Sequence, residues 1–168
     1  MKAVNRIFKV LSWIVIVVIV AYVAIAAPIV TGYRPVVVLS GSMTPTYPVG
    51  SVIYYHACNF EELTVGDAIT FRAGDSLVTH RITTINKDSG TVMTKGDNNE
   101  TEDPNPVEAN EVVGKATGFA IPCAGYFVTY GKKPVAIIVM AAILLINYVL
   151  EKLFSGQKGE KKRETKKA

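Results

Sequence analysis

An all-β domain of sandwich or barrel type, carried between two membrane-crossing helices, is the architecture this sequence predicts. Three observations predict it. Residues 10–30 and 134–150 contain no charged side chain. At 1.5 Å of helix per residue the first run is long enough to cross a hydrocarbon layer of ~30 Å, and the second is at the short end of that range. Between the runs, short stretches rich in Val, Ile, Thr and Tyr alternate with Gly, Pro, Asn and Asp turns every eight to twelve residues, the pattern of a strand-built domain. The positive charge gathers outside the two runs.

The chain has 168 residues, room for one modest domain besides the spans. A net charge of +4 and a pI of about 9.0 would suit a nucleic-acid binder. Their distribution excludes it, because residues 33–133 hold 8 Lys and Arg against 11 Asp and Glu. The excess lies at Lys2, Arg6 and Lys9 in front and at Lys158, Lys161, Lys162, Arg163, Lys166 and Lys167 behind. Basic flanks mark the cytoplasmic side of spans. The expected arrangement is a multi-pass protein of the cell membrane, with both termini cytoplasmic and the middle extracytoplasmic.

In order, residues 1–9 are a cytoplasmic leader and 10–30 an anchor helix. Ala24-Ile25-Ala26 has the form of a signal-peptide cleavage site, yet the apolar run exceeds the 7–15 residues of a signal h-region, so an uncleaved anchor is expected. Pro28 ends that helix. Residues 31–133 form the extracytoplasmic domain. Its strands are expected at 36–39 (buried), 52–55, 68–71, 77–85, 91–94 and 111–119, with a polar loop at 97–110. Residues 125–133 read as a link to the second span, 134–153. Residues 154–168 read as a disordered basic cytoplasmic tail. Cys58 and Cys123 would face an oxidising compartment. Spacing alone leaves a disulfide and two buried free thiols equally open.

Ser40-Gly41-Ser42-Met43-Thr44-Pro45-Thr46 breaks abruptly from the first strand into turn formers. Such a turn can present a hydroxyl, but a serine needs a neighbouring base to become a nucleophile. The chain has two histidines. His56 follows a strand and reads as a surface or loop residue. His80, inside an alternating strand, is the better base for Ser42. Arg81 cannot deprotonate usefully, and Lys87 or Lys95 would be needed for a Ser–Lys dyad. A carboxylate must then orient the imidazole, and Asp97 and Asp103 both follow the hairpin. The spacing does not choose between them. The backbone N–H of Ser42 is a candidate oxyanion donor, while Ser40 on its own reads as a turn residue.

The loop from Asp97 to Glu108 has oxygen ligands at alternate positions. However, Glu102 stands where a calcium loop needs Gly, and Pro104 and Pro106 interrupt it. No metal and no cofactor are expected. Asn99-Glu100-Thr101 is a glycosylation sequon.

Ser-Gly-Ser-Met-x-Pro-Thr after an N-terminal span resembles the nucleophile box of type I signal peptidases. Val78-Thr79-His80-Arg81-Ile82 and Thr94-Lys95-Gly96-Asp97-Asn98-Asn99 resemble the histidine and aspartate boxes of that family's ER-type branch, which covers archaeal, ER and some Gram-positive members. The stretch from Val65 to Phe71 resembles a further family segment. The resemblance implies a signal-peptidase-like β domain and a serine endopeptidase that removes signal peptides by Ser-His-Asp chemistry. His80 occupies the position where the bacterial branch has lysine. The resemblance also implies an oxyanion role for the Ser40 hydroxyl, and it favours Asp103 as orienter, because the box continues to a second aspartate six residues after the first. Asp97 would then support the turn or Arg81. Partners would be secretory preproteins with small residues before the cut, the lipid bilayer and a complex with secretion machinery, but not nucleic acid. Two other readings stay open: a non-catalytic β domain that binds peptides or scaffolds a secretion complex, and a self-cleaving or regulatory protease of similar fold.

Overall fold

The computed structural model describes residues 2–164, with side-chain surroundings for residues 6–153. It divides into two compact units, Ile25–Val128 and the two flanking segments together.

The first unit is built on one seven-stranded sheet, in the order β1-β2-β7-β3-β4-β5-β6. Its strands are β1 (Tyr33–Val37), β2 (Val52–His56), β3 (Ala68–Ala73), β4 (Ser76–Asn86), β5 (Thr91–Lys95), β6 (Val107–Glu108) and β7 (Val112–Ile121). Every neighbouring pair is antiparallel. Although β2, β7 and β3 lie between β1 and β4, both line one cleft. The sheet therefore curls into a half-barrel, which its bulges between Ile53 and Tyr55, Thr70 and Phe71, and Ile82 and Thr84 assist.

Local chemistry explains most of the elements. The β3–β4 hairpin closes on Gly74-Asp75, with Gly74 at φ 60° in the first turn position. That is the type II′ arrangement, whose twist matches the flanking strands. β2 is buried on both faces. Ile53 packs with Met43, Tyr47, Ala68 and Ala116, while Val52 and Tyr54 pack with Ala124. Farther along, Leu63, Ile69, Phe71, Ile82, Val92 and Val107 form a third cluster.

Several elements differ from expectation. The first strand covers Tyr33–Val37 rather than 36–39, and it is half-buried at best. It is an edge strand, paired only with β2, which is why Pro35 is tolerated in it. Leu39 lies beyond it and is 82% exposed. β6, two residues inside the polar loop, was too short to show a period. The stretch expected as a link begins with a helix, α2 (Ala124–Gly131). Its glycines and aromatics disfavour a helix locally, but Gly125 lets it dock: a side chain there would come within 2.6 Å of Val37 Cγ1 and 2.8 Å of the Gly50 carbonyl. Cys58, half-buried, and Cys123, exposed, are both free thiols.

Two stretches are apolar and long enough to cross a membrane: Arg6–Thr31, made by α1 (Lys2–Ala26) and the 3-10 turn after it, and Pro134–Leu153 within α3 (Pro134–Glu164). Almost none of either stretch is buried within the chain, unlike a core helix of a water-soluble protein. Lys9 Nζ and Glu151 Oε1 pair at 3.2 Å. The α-helix of α1 stops at Ala26, and Pro28 lies in the 3-10 turn Ala27–Thr31 that follows. The tail expected to be disordered from residue 154 continues α3 as far as Glu164. Its Lys, Glu and Gln are good helix formers extending an existing helix, which needs no new nucleus. Residues 165–168 of that expected tail lie outside the described residues.

Candidate active site

Ser42 sits on the loop between β1 and β2. The loop is closed at its base by Val38 N–H to Ser51 C=O and Gly50 N–H to Val38 C=O, each 2.9 Å. Two apolar anchors that follow the serine in the loop, Met43 and Tyr47, are each only 2% exposed. The Tyr47 hydroxyl also donates to the Thr117 carbonyl at 2.7 Å. Burying such side chains is worth about 1.5–3 kcal/mol each, which fastens the loop to the sheet beneath it.

His80 is on β4, paired across from Ile69 of β3. The residue is 8% exposed, and its ring meets Phe71 edge-on, with centroids 6.3 Å apart. Nε2 is 3.0 Å from Ser42 Oγ, and Nδ1 is 2.6 Å from Asp103 Oδ2. With Nδ1–H donating to the carboxylate, Nε2 is left as the acceptor facing the serine hydroxyl. Asp103 comes from the loop after β5, fastened by its N–H to the Thr94 carbonyl at 2.8 Å. The Thr94 hydroxyl donates to the same Oδ2 at 2.6 Å.

The other expected aspartate is engaged elsewhere. Successive strand residues point to opposite faces, and next to His80 the guanidinium of Arg81 grips Asp97 through two parallel bonds of 2.7 Å. Arg81 Nη1 donates to the Gly66 carbonyl at 2.7 Å. The Arg81 hydrogen bonds hold the Asp97 carboxyl below the usual carboxylate range, outweighing its burial. Asp97 also accepts from Thr46 Oγ1 of the serine loop at 2.5 Å. Asn98 N–H reaches the Ser42 carbonyl at 2.8 Å. Gly96 makes this approach feasible, since a Cβ there would lie 2.6 Å from the Ser42 oxygen.

Ser40 Oγ is 3.3 Å from Ser42 Oγ. The Ser42 N–H has no protein acceptor among the described residues. Lys87 is engaged with Glu61, at 3.0 Å to its carbonyl and 3.4 Å to its carboxylate, and no hydrogen bond joins Lys87 or Lys95 to Ser42. His56 is the last residue of β2 rather than a loop residue. It is half-buried and edge-on to Tyr33, and its buried Nδ1 lacks a partner among the described residues. No three potential metal ligands converge among the described residues.

A cleft of about 360 Å³ opens beside Ser42 and His80. One wall is residues 36–40 and the other residues 77–80, with Ile53 in the lining. Each wall has a free strand edge: β1 pairs only with β2, and β4 pairs with β5 only from Arg81 onward.

A family described as "Signal peptidase, peptidase S26" matches residues 8–92, half of the chain. The chain belongs to this signal peptidase family. The matched segment takes in Ser42 and His80 and ends before Thr94, Asp97 and Asp103. "Signal peptidase I W" of Bacillus subtilis is 42% identical over 99 residues, covering 56% of this chain and 52% of its own. "Signal peptidase complex catalytic subunit SEC11C" of Homo sapiens, and likewise that of Canis lupus familiaris, is 35% identical over 102 residues, covering 54% and 53%. The chain thus spans about half the length of these relatives.

Sequence reasoning missed Thr94. The signal was present: β5 alternates, and Val92 and Thr94 are its inward positions. A hydroxyl on an inward face must find a partner there.

Proposed function

We propose that this signal peptidase family member is a membrane-bound serine endopeptidase that removes signal peptides from secretory preproteins. One observation carries the reading: a single buried imidazole bridges the Ser42 hydroxyl and the Asp103 carboxylate at hydrogen-bonding distance on both sides. His80 takes the proton of Ser42 as Oγ attacks the scissile carbonyl, then gives it to the departing amine of the mature protein. The signal peptide remains as an acyl-enzyme, and His80 activates the water that releases it. Asp103 keeps the imidazole in one tautomer and stabilises its cation. The Ser42 N–H and the Ser40 hydroxyl receive the oxyanion. Asp97 does not act on His80 in this scheme, but ties the serine loop to Arg81.

The substrate enters as an extended strand between the free edges of β1 and β4, and the small apolar cleft accepts short side chains of the A-x-A kind. Residues 10–30 and 134–153 cross the bilayer, and the domain of residues 31–133 is extracytoplasmic. Residues 1–9 and 154–168 are cytoplasmic, as their charge favours. The test is cleavage of a preprotein in detergent by the wild type, Ser42→Ala and His80→Ala. Both variants should fall to background with unchanged circular dichroism, and processing that persists in both would remove the assignment.

A further inference from the structure

We propose that Thr94 is a positioning residue for the reaction, fixing the carboxylate that orients His80; this extends the catalytic reading above and rests on it. Asp103 sits in the long polar loop between β5 and β6, where no strand pairing dictates its side-chain direction. Two groups dictate it instead. The Asp103 N–H is bound to the Thr94 carbonyl at 2.8 Å, and Oδ2 accepts from the Thr94 hydroxyl at 2.6 Å. Among the described residues, Thr94 and His80 are the hydrogen-bond donors to this carboxylate.

Both bonds from Thr94 end on the residue that His80 needs, and the hydroxyl ends on the same oxygen that His80 uses. Thr94 is fully buried, so its hydroxyl has no water to turn to. Its β-branched side chain is stiff at χ1, which gives that hydroxyl a set direction. β5 is also paired to the strand that carries the base, with Thr94 opposite Ile82, two residues along from His80 on the same face. The spacing between Asp103 and His80 is thereby set by the sheet rather than by the loop. An Asp103 freed from this tether would sample rotamers in which Nδ1 loses its acceptor, and the tautomer with Nε2–H, which cannot take a proton from Ser42, would compete.

The experiment compares full-length wild type, Ser42→Ala, Thr94→Val and Thr94→Ser in detergent, with a preprotein as substrate. Thr94→Val keeps shape and burial while removing the hydroxyl. It should lower kcat by about tenfold or more with KM unchanged, the size expected for losing one charge-assisted hydrogen bond. Thr94→Ser should recover most of that loss. Heteronuclear NMR of the imidazole nitrogens supplies a second readout, since only His56 and His80 contribute and His56→Gln assigns them. Under mildly alkaline conditions His80 should show one Nδ1–H tautomer in the wild type and in Thr94→Ser, and a mixture in Thr94→Val. Wild-type kcat with a single tautomer in Thr94→Val would overturn the inference, as would a Thr94→Ser as slow as Thr94→Val. A Ser42→Ala enzyme that still cleaves would instead sink the catalytic reading, and the His80 spectra would still decide whether Thr94 governs the tautomer.

Discussion

Ser40 and Ser42 carry the same hydroxyl two residues apart, and only their surroundings distinguish them. Ser42 Oγ meets Nε2 of His80 at 3.0 Å, whereas among the described residues Ser40 Oγ reaches only Ser42 itself, at 3.3 Å. Ser40→Ala should therefore slow cleavage by about a hundredfold through kcat, the usual effect of removing one oxyanion donor, rather than abolish it. Single-turnover kinetics would measure this, and an unchanged rate would exclude Ser40 from the oxyanion site. The two aspartates divide in the same way. Asp103→Asn should reduce kcat by about ten-thousandfold, as expected when the orienting carboxylate of a triad becomes an amide. Asp97→Asn should act mainly by loosening the serine loop. Equal losses in the two variants, with equal thermal stability, would contradict this division.

Among the elements, β4 does two tasks through simple alternation. His80 faces the site, and Arg81 faces the Asp97 turn that clasps the serine loop. The Arg81 hydrogen bonds make Asp97 more acidic folded than unfolded. Such a carboxyl stabilises the fold at pH above its unfolded value of about 3.9, and that stabilisation fades as the pH falls through the lower folded value. Asp97→Asn should therefore be less stable than the wild type near neutrality, with the difference shrinking on acidification. Thermal melts across that range would show it, and a constant difference would mean that the charge is not responsible. Gly96 sets the approach of the same turn. Gly96→Ala drives a Cβ against the Ser42 carbonyl and should cost about 1–3 kcal/mol, as overpacking does, with slower cleavage; an unchanged melting temperature and rate would show that the turn can yield.

For the whole molecule, the proposed topology makes a direct prediction. Cys123 is exposed, and it should react with a membrane-impermeant maleimide added outside intact cells. A cysteine placed at Arg6, in a background where Cys58→Ser and Cys123→Ser remove both natural thiols, should react only after permeabilisation. Cys58 should label more slowly than Cys123, because burial pushes its thiol upward and less of it is thiolate. Labelling of the Arg6→Cys variant from outside would reverse the orientation.

What the linear order of residues determined here is what depends on runs and periods. Charge-free stretches of spanning length, basic flanks, alternating strands and glycine turns can each be read without knowing what packs on what. For the same reason the Ser42 loop and the His80 strand were legible as motifs. Short or propensity-poor elements were not: β6 is two residues long, and α2 exists because Gly125 fits against Val37 and Gly50. Only the tertiary structure decided which aspartate meets His80. Asp97 and Asp103 are near neighbours on one loop, and their partners, Arg81 and His80, are adjacent on one strand. Which carboxylate reaches which face depends on how the loop is tied to β5 through Thr94, and a contact of that kind is a distance between strands, which no local pattern of residues encodes.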